Sequence, residues 1–518
     1  MDKFTRPIAG CTFANAKNPR LQYDKDLQVD VSLESGFEQH ILPINGVNND
    51  GPFEFQCEPI RDTLLAMDKM DLIVQAEVVD GTGQRLSYQS DVCPINYLLS
   101  TMWKSIECRV NGHPINLSAS QHTAYKSLMQ AYVTVDRHAS EYLTPSLYTP
   151  ESSKDSCTSL LPGYNRSTSD RRKFVNLGGG EFQMCGPVSG VDFLLSDTYL
   201  APLNKLSLTF NRHDDQFIFN TPKVDTPSSE DYTEAYKAEH PNKAADEKLL
   251  KEYLDANKKN DELGKPLTNL LEIEELKKKM QQDKQDAQAA AIAKLSDDPQ
   301  LTPRLIIKDI ALSVRRIQMT RSALQDYFRP SELQRYHGAL TEVHSHALVT
   351  GITKKNISVY SGGVLPKQVV IGMVLTNSFV GDYHANPFDF QSFGLNKIAL
   401  KVNAVRVPQE PMQPDFDKKH IMREYVHLLK NTGKWRTDSG NSIAPYNFER
   451  GITLFPFDLT PDMCASYHTH AGKEGVVEVE LGWKEPLKEQ VTVVIFTCKD
   501  QIVTIDPTAG GLPATNAF

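Results

Sequence analysis

The chain has 518 residues, of which 40% are hydrophobic and 23% charged, a composition that fits a folded protein and excludes a disordered or fibrous one. That length exceeds one ordinary β-sandwich and suits two domains of roughly 200 residues each with an insertion. A formal net charge of -9 excludes a surface built mainly to grip nucleic acid, because phosphate binding needs a dominant basic face.

Residues 1–21 carry no strand pattern, and Lys3, Arg6, Lys17 and Arg20 outnumber Asp2 there. This N-terminal arm reads either as a weak, local genome contact or as a frayed terminus. The string MDKFTRPIAGCTF lacks the apolar core of a signal peptide, and the longest apolar run, VVIGMVL at 369–375, is too short to span a bilayer. Neither secretion nor membrane insertion is expected. Cys11, Cys57, Cys93, Cys108, Cys157, Cys185, Cys464 and Cys498 are scattered without a C-x-x-C pair. That spacing points to free thiols in a reducing compartment, where the sequons at Asn116, Asn165 and Asn356 stay unmodified.

From about 22 to 220 the chain shows short alternating runs: LQVDVSL (27–33), LIVQAEVV (72–79), IECRV (106–110) and LSLTF (206–210). Alternation with period two marks half-buried strands. Between them sit DGTG at 80–83, NGHP at 111–114 and LGGGE at 177–181, where glycines admit positive φ. The spacing predicts a sandwich with a long loop at 113–200, within which ASQHTAYKSLMQAYVTV (119–135) is helix-compatible.

Composition shifts at 221–305. Leu270, Ile273, Leu276 and Met280 recur at spacings of three and four amid Glu, Lys, Gln and Ala, which predicts a charged helical insertion broken near Gly264 and Pro266. It is either an outward tower, an inter-subunit contact or a solvated hairpin on its own domain. Strand patterns return in IKDIALSVRRIQM (307–319), KQVVIGMVLT (367–376), NKIALKVNAVRV (396–407), GVVEVELGW (475–483), EQVTVVIFT (489–497) and QIVTID (501–506), with short helix signals at 321–337 and 418–430. The expectation is a first jelly roll over 22–220, the insertion, a second jelly roll over 306–506 and a tail at 507–518.

Longer strings carry more than periodicity. SDVCPINYLLSTMWKSIECRVNGHPI at 90–115, with Asp91, Pro94, Asn96, Asn111 and Gly112, resembles the first-domain signature of the major capsid proteins of Polinton (Maverick) elements and adintoviruses. So do GVLPKQVVIGMVLTNSFVGDYHANPFDFQSFGLNKIALKVNAVRVP (363–408), NFERGITLFPFDLTPDMC (447–464) and VEVELGWKEPLKEQVTVVIFTCKDQIVTID (477–506), in the same order. The resemblance implies an all-β double jelly roll, two eight-stranded antiparallel sandwiches in tandem. It implies a homotrimer forming a pseudo-hexagonal capsomer that tiles an icosahedral shell around DNA, with neighbouring capsomers, penton and minor capsid proteins as partners and the virion as location. It carries over no catalytic, cofactor-binding or metal residue, and the insertion departs from its core pattern.

The motifs fit that role. Phe455 and Phe457 can anchor a loop while Asp458 and Thr460 cap backbone amides and Pro461 fixes φ. Gly381, Pro387, Phe388 and Phe390 combine a turn with aromatic anchors, which would set a loop at a subunit or domain seam.

Other chemistry is weaker. His344 with His346, and His468 with His470, share a face if each pair lies on a strand, but no third metal ligand follows. G-x-S-x-G, G-x-x-x-x-G-K-[ST] and H-E-x-x-H are absent, and no carboxylate pair stands out as a general acid and base. The alternative to a coat protein is a β-sandwich carbohydrate-binding protein or glycoside hydrolase, in which Trp103, Trp435 and Trp483 would stack on sugars. Trp103 and Trp483 lie in strand-like runs, which favours a core or seam position.

Overall fold

The computed structural model of the chain describes residues 30–49, 51–86, 92–115, 121–136, 140–151, 165–176, 180–221, 302–327, 333–360, 363–437, 440–463, 470–506 and 514–517. The expected N-terminal arm and residues 222–301 of the expected insertion, with Leu270, Ile273, Leu276 and Met280, lie outside them.

In chain order the first strands are β1 (Leu33–Ile41), β2 (Phe53–Cys57), β3 (Thr63–Val79), β4 (Cys93–Pro94), β5 (Trp103–Val110), β6 (His113–Pro114), β7 (Glu181–Pro187), β8 (Tyr199–Leu200), β9 (Leu206–Arg212), β10 (Phe219–Asn220) and β11 (Arg304–Met319). One sheet has the order β1-β11-β3-β7 with β8 added to β3, and the other β2-β9-β5-β6; β4 and β10 make a separate ribbon. The remaining strands are β12 (Gln334–Leu348), β13 (Lys354–Tyr360), β14 (Gln368–Leu375), β15 (Leu395–Val402), β16 (Val405–Met412), β17 (Leu454–Asp458), β18 (Val477–Trp483), β19 (Val491–Ile505) and β20 (Ala514–Ala517). They form β12-β19-β14-β17, with β20 on β19, and β13-β18-β15-β16.

Both halves follow one plan. Leaving aside β4, β8, β10 and β20, the eight strands of each half lie first-eighth-third-sixth in one sheet and second-seventh-fourth-fifth in the other. That winding, with antiparallel pairing throughout, is a jelly roll. The chain is an all-β double jelly roll.

Residue chemistry explains the main elements. In β3, Leu72, Val74, Ala76 and Val78 are buried while Ile73 and Gln75 between them are partly covered, as alternation requires. In β14, between β19 and β17, Val369, Val370, Ile371, Met373 and Val374 are all buried, so the unbroken run VVIGMVL is a strand covered on both faces. Asn111 and Gly112 both adopt positive φ, 51° and 84°, and Val110 pairs with His113 across them; this is the two-residue hairpin that Asn-Gly favours. Trp103 is core, edge-on to Phe53 at 5.8 Å and to Phe210 at 5.0 Å.

Four expectations change. The first described strand is Leu33–Ile41, whereas of the strand expected at 27–33 residues 27–29 lie outside the described residues and 30–32 are not strand; the residues of β1 are mostly exposed, so it carries no alternation to read. The strand after the insertion does not open the second sandwich. β11 lies between β1 and β3 in the first, because a jelly roll's last strand closes between its first and third, and no local period reports that distant pairing. Among the described residues the helix signal at 321–337 is realised as Arg321–Tyr327, and residues from Gln334 onward are drawn into β12 along its pairing with β19. EQVTVVIFT and QIVTID join in the single long strand β19, because β12 pairs along all of it.

Candidate functional site

The most constrained region is the seam between the sandwiches. The expected helix at 119–135 forms at Thr123–Thr134, inside the long loop between β6 and β7. It is covered on nearly every face, including Lys126. Tyr125 stacks on Phe379 at 5.1 Å and meets Phe388 edge-on at 5.2 Å and Phe217 at 6.1 Å, and its hydroxyl donates to the Pro387 carbonyl at 2.9 Å. Burial pushes that phenol far above its ordinary range, so it remains a donor.

One turn of the same helix carries an ion pair. Lys126 Nζ lies 2.8 Å from Asp192 Oδ2, with the side chains 1% and 4% exposed. The same oxygen accepts the backbone N–H of Thr341, on β12, at 2.7 Å. The first sandwich thus holds a carboxylate that a lysine of its own loop and an amide of the second sandwich share. Such a pair is strong only where its remaining hydrogen-bonding capacity is used, and the Thr341 amide takes up part of the carboxylate's.

The corresponding loop of the second sandwich, between β16 and β17, reaches back. It carries the helices Met422–Asn431 and Pro445–Glu449. Ser442 lies beyond the first of these and accepts from Tyr148 Oη at 2.8 Å, donates through its hydroxyl to the Val135 carbonyl at 2.9 Å and through its amide to the Tyr132 carbonyl at 3.3 Å. Asn447 donates to the Glu151 carbonyl at 3.2 Å. The Glu151 carboxylate, 3.4 Å from the Arg171 guanidinium, is buried with it, and burial lifts its carboxyl above the ordinary range despite the cation. The two loops therefore clasp each other across the seam.

A third contact gathers the base of residues 222–301. The Tyr383 carbonyl accepts the Thr221 amide at 2.6 Å, and the Tyr383 hydroxyl donates to the Pro303 carbonyl at 3.3 Å. Asp215 Oδ1 accepts the Leu305 amide at 3.1 Å, and Arg212 donates to the Leu305 carbonyl at 3.0 Å. Both ends of that segment are thus fixed at one spot beside the seam loop.

The motif residues read from sequence take distinct places. Gly381, at φ 123°, brings its backbone against Phe217, where an added Cβ would lie 3.3 Å from the Phe217 nitrogen; Phe388 and Phe390 are buried in the seam cluster. GDYHANPFDF is thus a seam loop between sandwiches. Phe455 and Phe457 are buried in β17, and Asp458 accepts from the Thr460 amide at 2.8 Å and hydroxyl at 2.6 Å. Asn96 is buried, its oxygen accepting the Thr149 amide at 2.9 Å, and the Pro94 carbonyl accepts from Arg171 at 3.3 Å. Asp91 lies outside the described residues. His344 and His346 lie on β12; His470 meets Asp462 at 2.9 Å, and His468 is not described. Among the described residues no three His, Cys, Asp or Glu side chains gather as a metal site. Trp103 and Trp483 are buried and unavailable to stack on a sugar, while Trp435 is 40% exposed. Cys57, Cys93, Cys108, Cys185 and Cys498 are free thiols. Gly180 lies against the Val78 carbonyl, with its amino-terminal neighbours Gly178 and Gly179 not described. No helix among the described residues is long and apolar enough to cross a membrane.

Sequence reading missed the roles of Tyr125, Lys126, Asp192 and Ser442. The available signal was Lys126 itself, a charge set among Tyr125, Leu128 and Met129 in a helix-compatible run.

β1 pairs on one side, with β11, among the described residues, and Val31, Leu42 and Ile44 nearby are 75%, 63% and 57% exposed.

No protein-family model matches the chain. An uncharacterized protein of Caenorhabditis elegans is 27% identical over 145 residues, which are 27% of this chain and 35% of that protein, so the match spans about a third of the relative's length. Among solved structures, a chain of the Sputnik virophage, determined by cryo-EM, superposes with a TM-score of 0.54 at 10% identity, over 98% of this chain and 93% of that one. The mavirus major capsid protein superposes with a TM-score of 0.48 at 10% identity, over 100% of this chain and 97% of that one. At such identity the likeness concerns the fold: this chain is a double jelly roll from its first described sheet to its last.

Proposed function

We propose that the chain is a non-enzymatic coat subunit, the major capsid protein of a Polinton (Maverick) or adintovirus-type element, located in the virion. Three copies form a pseudo-hexagonal capsomer, and capsomers tile an icosahedral shell around a DNA genome. The observation that carries this reading is the pair of jelly rolls of identical winding, locked side by side by Tyr125, Lys126 and Ser442. A threefold ring of such chains presents six similar sandwiches, which is what a hexagonal lattice needs from a trimer. The virophage chain of like fold, matched along nearly its full length, supports the same reading.

Trimerisation covers the open β1 flank with its exposed Val31, Leu42 and Ile44, an edge that a lone subunit would leave available for indiscriminate pairing. Neighbouring capsomers, penton and minor capsid proteins then meet the trimer through smaller, more polar contacts. Residues 1–21 are the candidate for a weak contact to the genome, and the insertion at 221–305 is the candidate for an outer tower or an inter-subunit contact. The sugar-binding and glycosidase alternative has no comparable support, with two of its three tryptophans in the cores.

Light scattering of the purified chain tests the proposal. A stable trimer that assembles into shells visible by electron microscopy is the expected result; a monomer at micromolar concentration with no particles overturns it.

A further inference from the structure

A cleft of about 640 Å³ opens at one end of the second sandwich. Three stretches wall it: residues 391–396 running into β15, 413–417 after β16, and 484–489 between β18 and β19. Lys484 ties the three together, its amide donating to the Gly394 carbonyl at 3.3 Å and its ammonium to Asp417 at 3.3 Å. Leu487 is held from behind as well, accepting the Gly351 amide at 2.8 Å and donating to the Ile352 carbonyl at 3.1 Å. Gln391 donates to Asp389 of the seam loop at 2.5 Å, which fixes the remaining wall. The cleft is thus preformed, and its volume falls within the roughly 300–1000 Å³ of small-ligand sites.

Its lining is of two kinds. Phe393 and Phe416 stand half-buried on different walls, beside the buried Leu395 and Leu487. Phe393 holds a φ of 49° and Gly394 one of 72°, a left-handed pair that a bulky residue rarely accepts and that structures retain mainly where function requires it. The polar lining is nearly balanced in charge. Asp417 lies 3.3 Å from Lys484, Glu485 lies 3.5 Å from Lys488, and Asp415 lies 3.8 Å from Lys418 at the rim. Asn396 and Gln413 add two exposed amides.

An ionic ligand needs an opposite charge left unpaired, and here each of these three carboxylates already faces a lysine. A sugar ring needs something else. Its C–H face packs on an aromatic ring, and its hydroxyls, each both donor and acceptor, pair with amides, carboxylates and ammonium groups set side by side. That combination is what the cleft presents. We propose that it binds a short neutral oligosaccharide, an activity that assembly of a shell does not require. None of Trp103, Trp435 and Trp483 lines it, so the site is independent of the tryptophans on which sugar stacking was first sought.

An array of immobilised neutral, amino and acidic oligosaccharides, probed with the labelled full chain, tests this. Retention on neutral members is expected, and it should persist between about 0.1 and 0.5 M salt, since screening weakens ionic attachment and spares a neutral ligand. Asn396 and Gln413 are exposed, so Asn396→Ala and Gln413→Ala should leave the far-ultraviolet circular dichroism unchanged while each weakens binding by at least about tenfold. Asn396→Trp, which fills the cleft from its own wall, should abolish retention. No retention of any sugar, retention of acidic members alone, loss of retention in the higher salt, or retention that Asn396→Trp leaves untouched each overturns the site.

Discussion

Lys126 and Asp192 form an ion pair at 2.8 Å with both side chains almost wholly buried, and the carboxylate also holds the Thr341 amide of the other sandwich. Removing either charge strands the other in a dry seam, which costs about 3–5 kcal/mol in comparable buried pairs. Lys126→Ala and Asp192→Ala should each lower the urea midpoint strongly. The double change to Lys126→Met and Asp192→Leu should cost less than the sum of the two single losses, as measured by a double-mutant cycle.

Tyr383 binds Thr221 and Pro303 together, so the sandwiches already hold the two ends of 222–301 close. Loop-closure entropy rises only slowly with length, about 0.6 kcal/mol per doubling. Replacing 222–301 with a short Gly-Ser bridge should leave the far-ultraviolet circular dichroism of the sheets intact. Tyr383→Ala in the intact chain should instead increase protease cleavage near 221 and 303.

Gly372 lies in the middle of β14, where an added Cβ would come within 2.6 Å of the Phe390 ring and 2.8 Å of Leu454. Both neighbours are buried and cannot swing aside. Gly372→Ala should destabilise the second sandwich by about 1–3 kcal/mol, the usual cost of overpacking, read as a lower thermal midpoint.

Burial pushes the Asp389 carboxyl from 3.8 up to about 7, with the Gln391 amide donating to one oxygen while the other is buried and accepts nothing. An unfolded Asp titrates near 4, so the folded chain binds this proton more tightly, and stability falls as pH rises from about 4 through about 7. Denaturant midpoints at pH 5 and pH 8 should show that loss in the native chain. Asp389→Asn should reduce the difference, leaving the variant the more stable of the two at pH 8.

Much of this architecture was legible because sheets write their faces into the chain. Alternation marked β3, β9 and β18, the unbroken run marked β14, and Asn111-Gly112 marked its hairpin. The GDYHANPFDF string read as a seam loop and is one. Pairing was not legible. β1 presents Glu34, Ser35, Gly36 and Phe37 in succession to solvent, with no pattern to find. β11 has a clear strand pattern, yet nothing within it says that its partners lie more than two hundred residues earlier. The seam was hidden for the same reason: Lys126 and Asp192 are unremarkable apart, and only the fold makes them partners.

The late arrival of β11 has a consequence during synthesis. β1 and β3 cannot be joined until Arg304–Met319 has left the ribosome, and at about 5–20 residues per second the passage of 222–301 delays that by several seconds. Throughout that interval a half-built sheet waits with two unsatisfied borders. A cell making this chain at high level must shield those borders with chaperones or lose nascent chains to one another, so yield should depend on translation speed across the intervening codons.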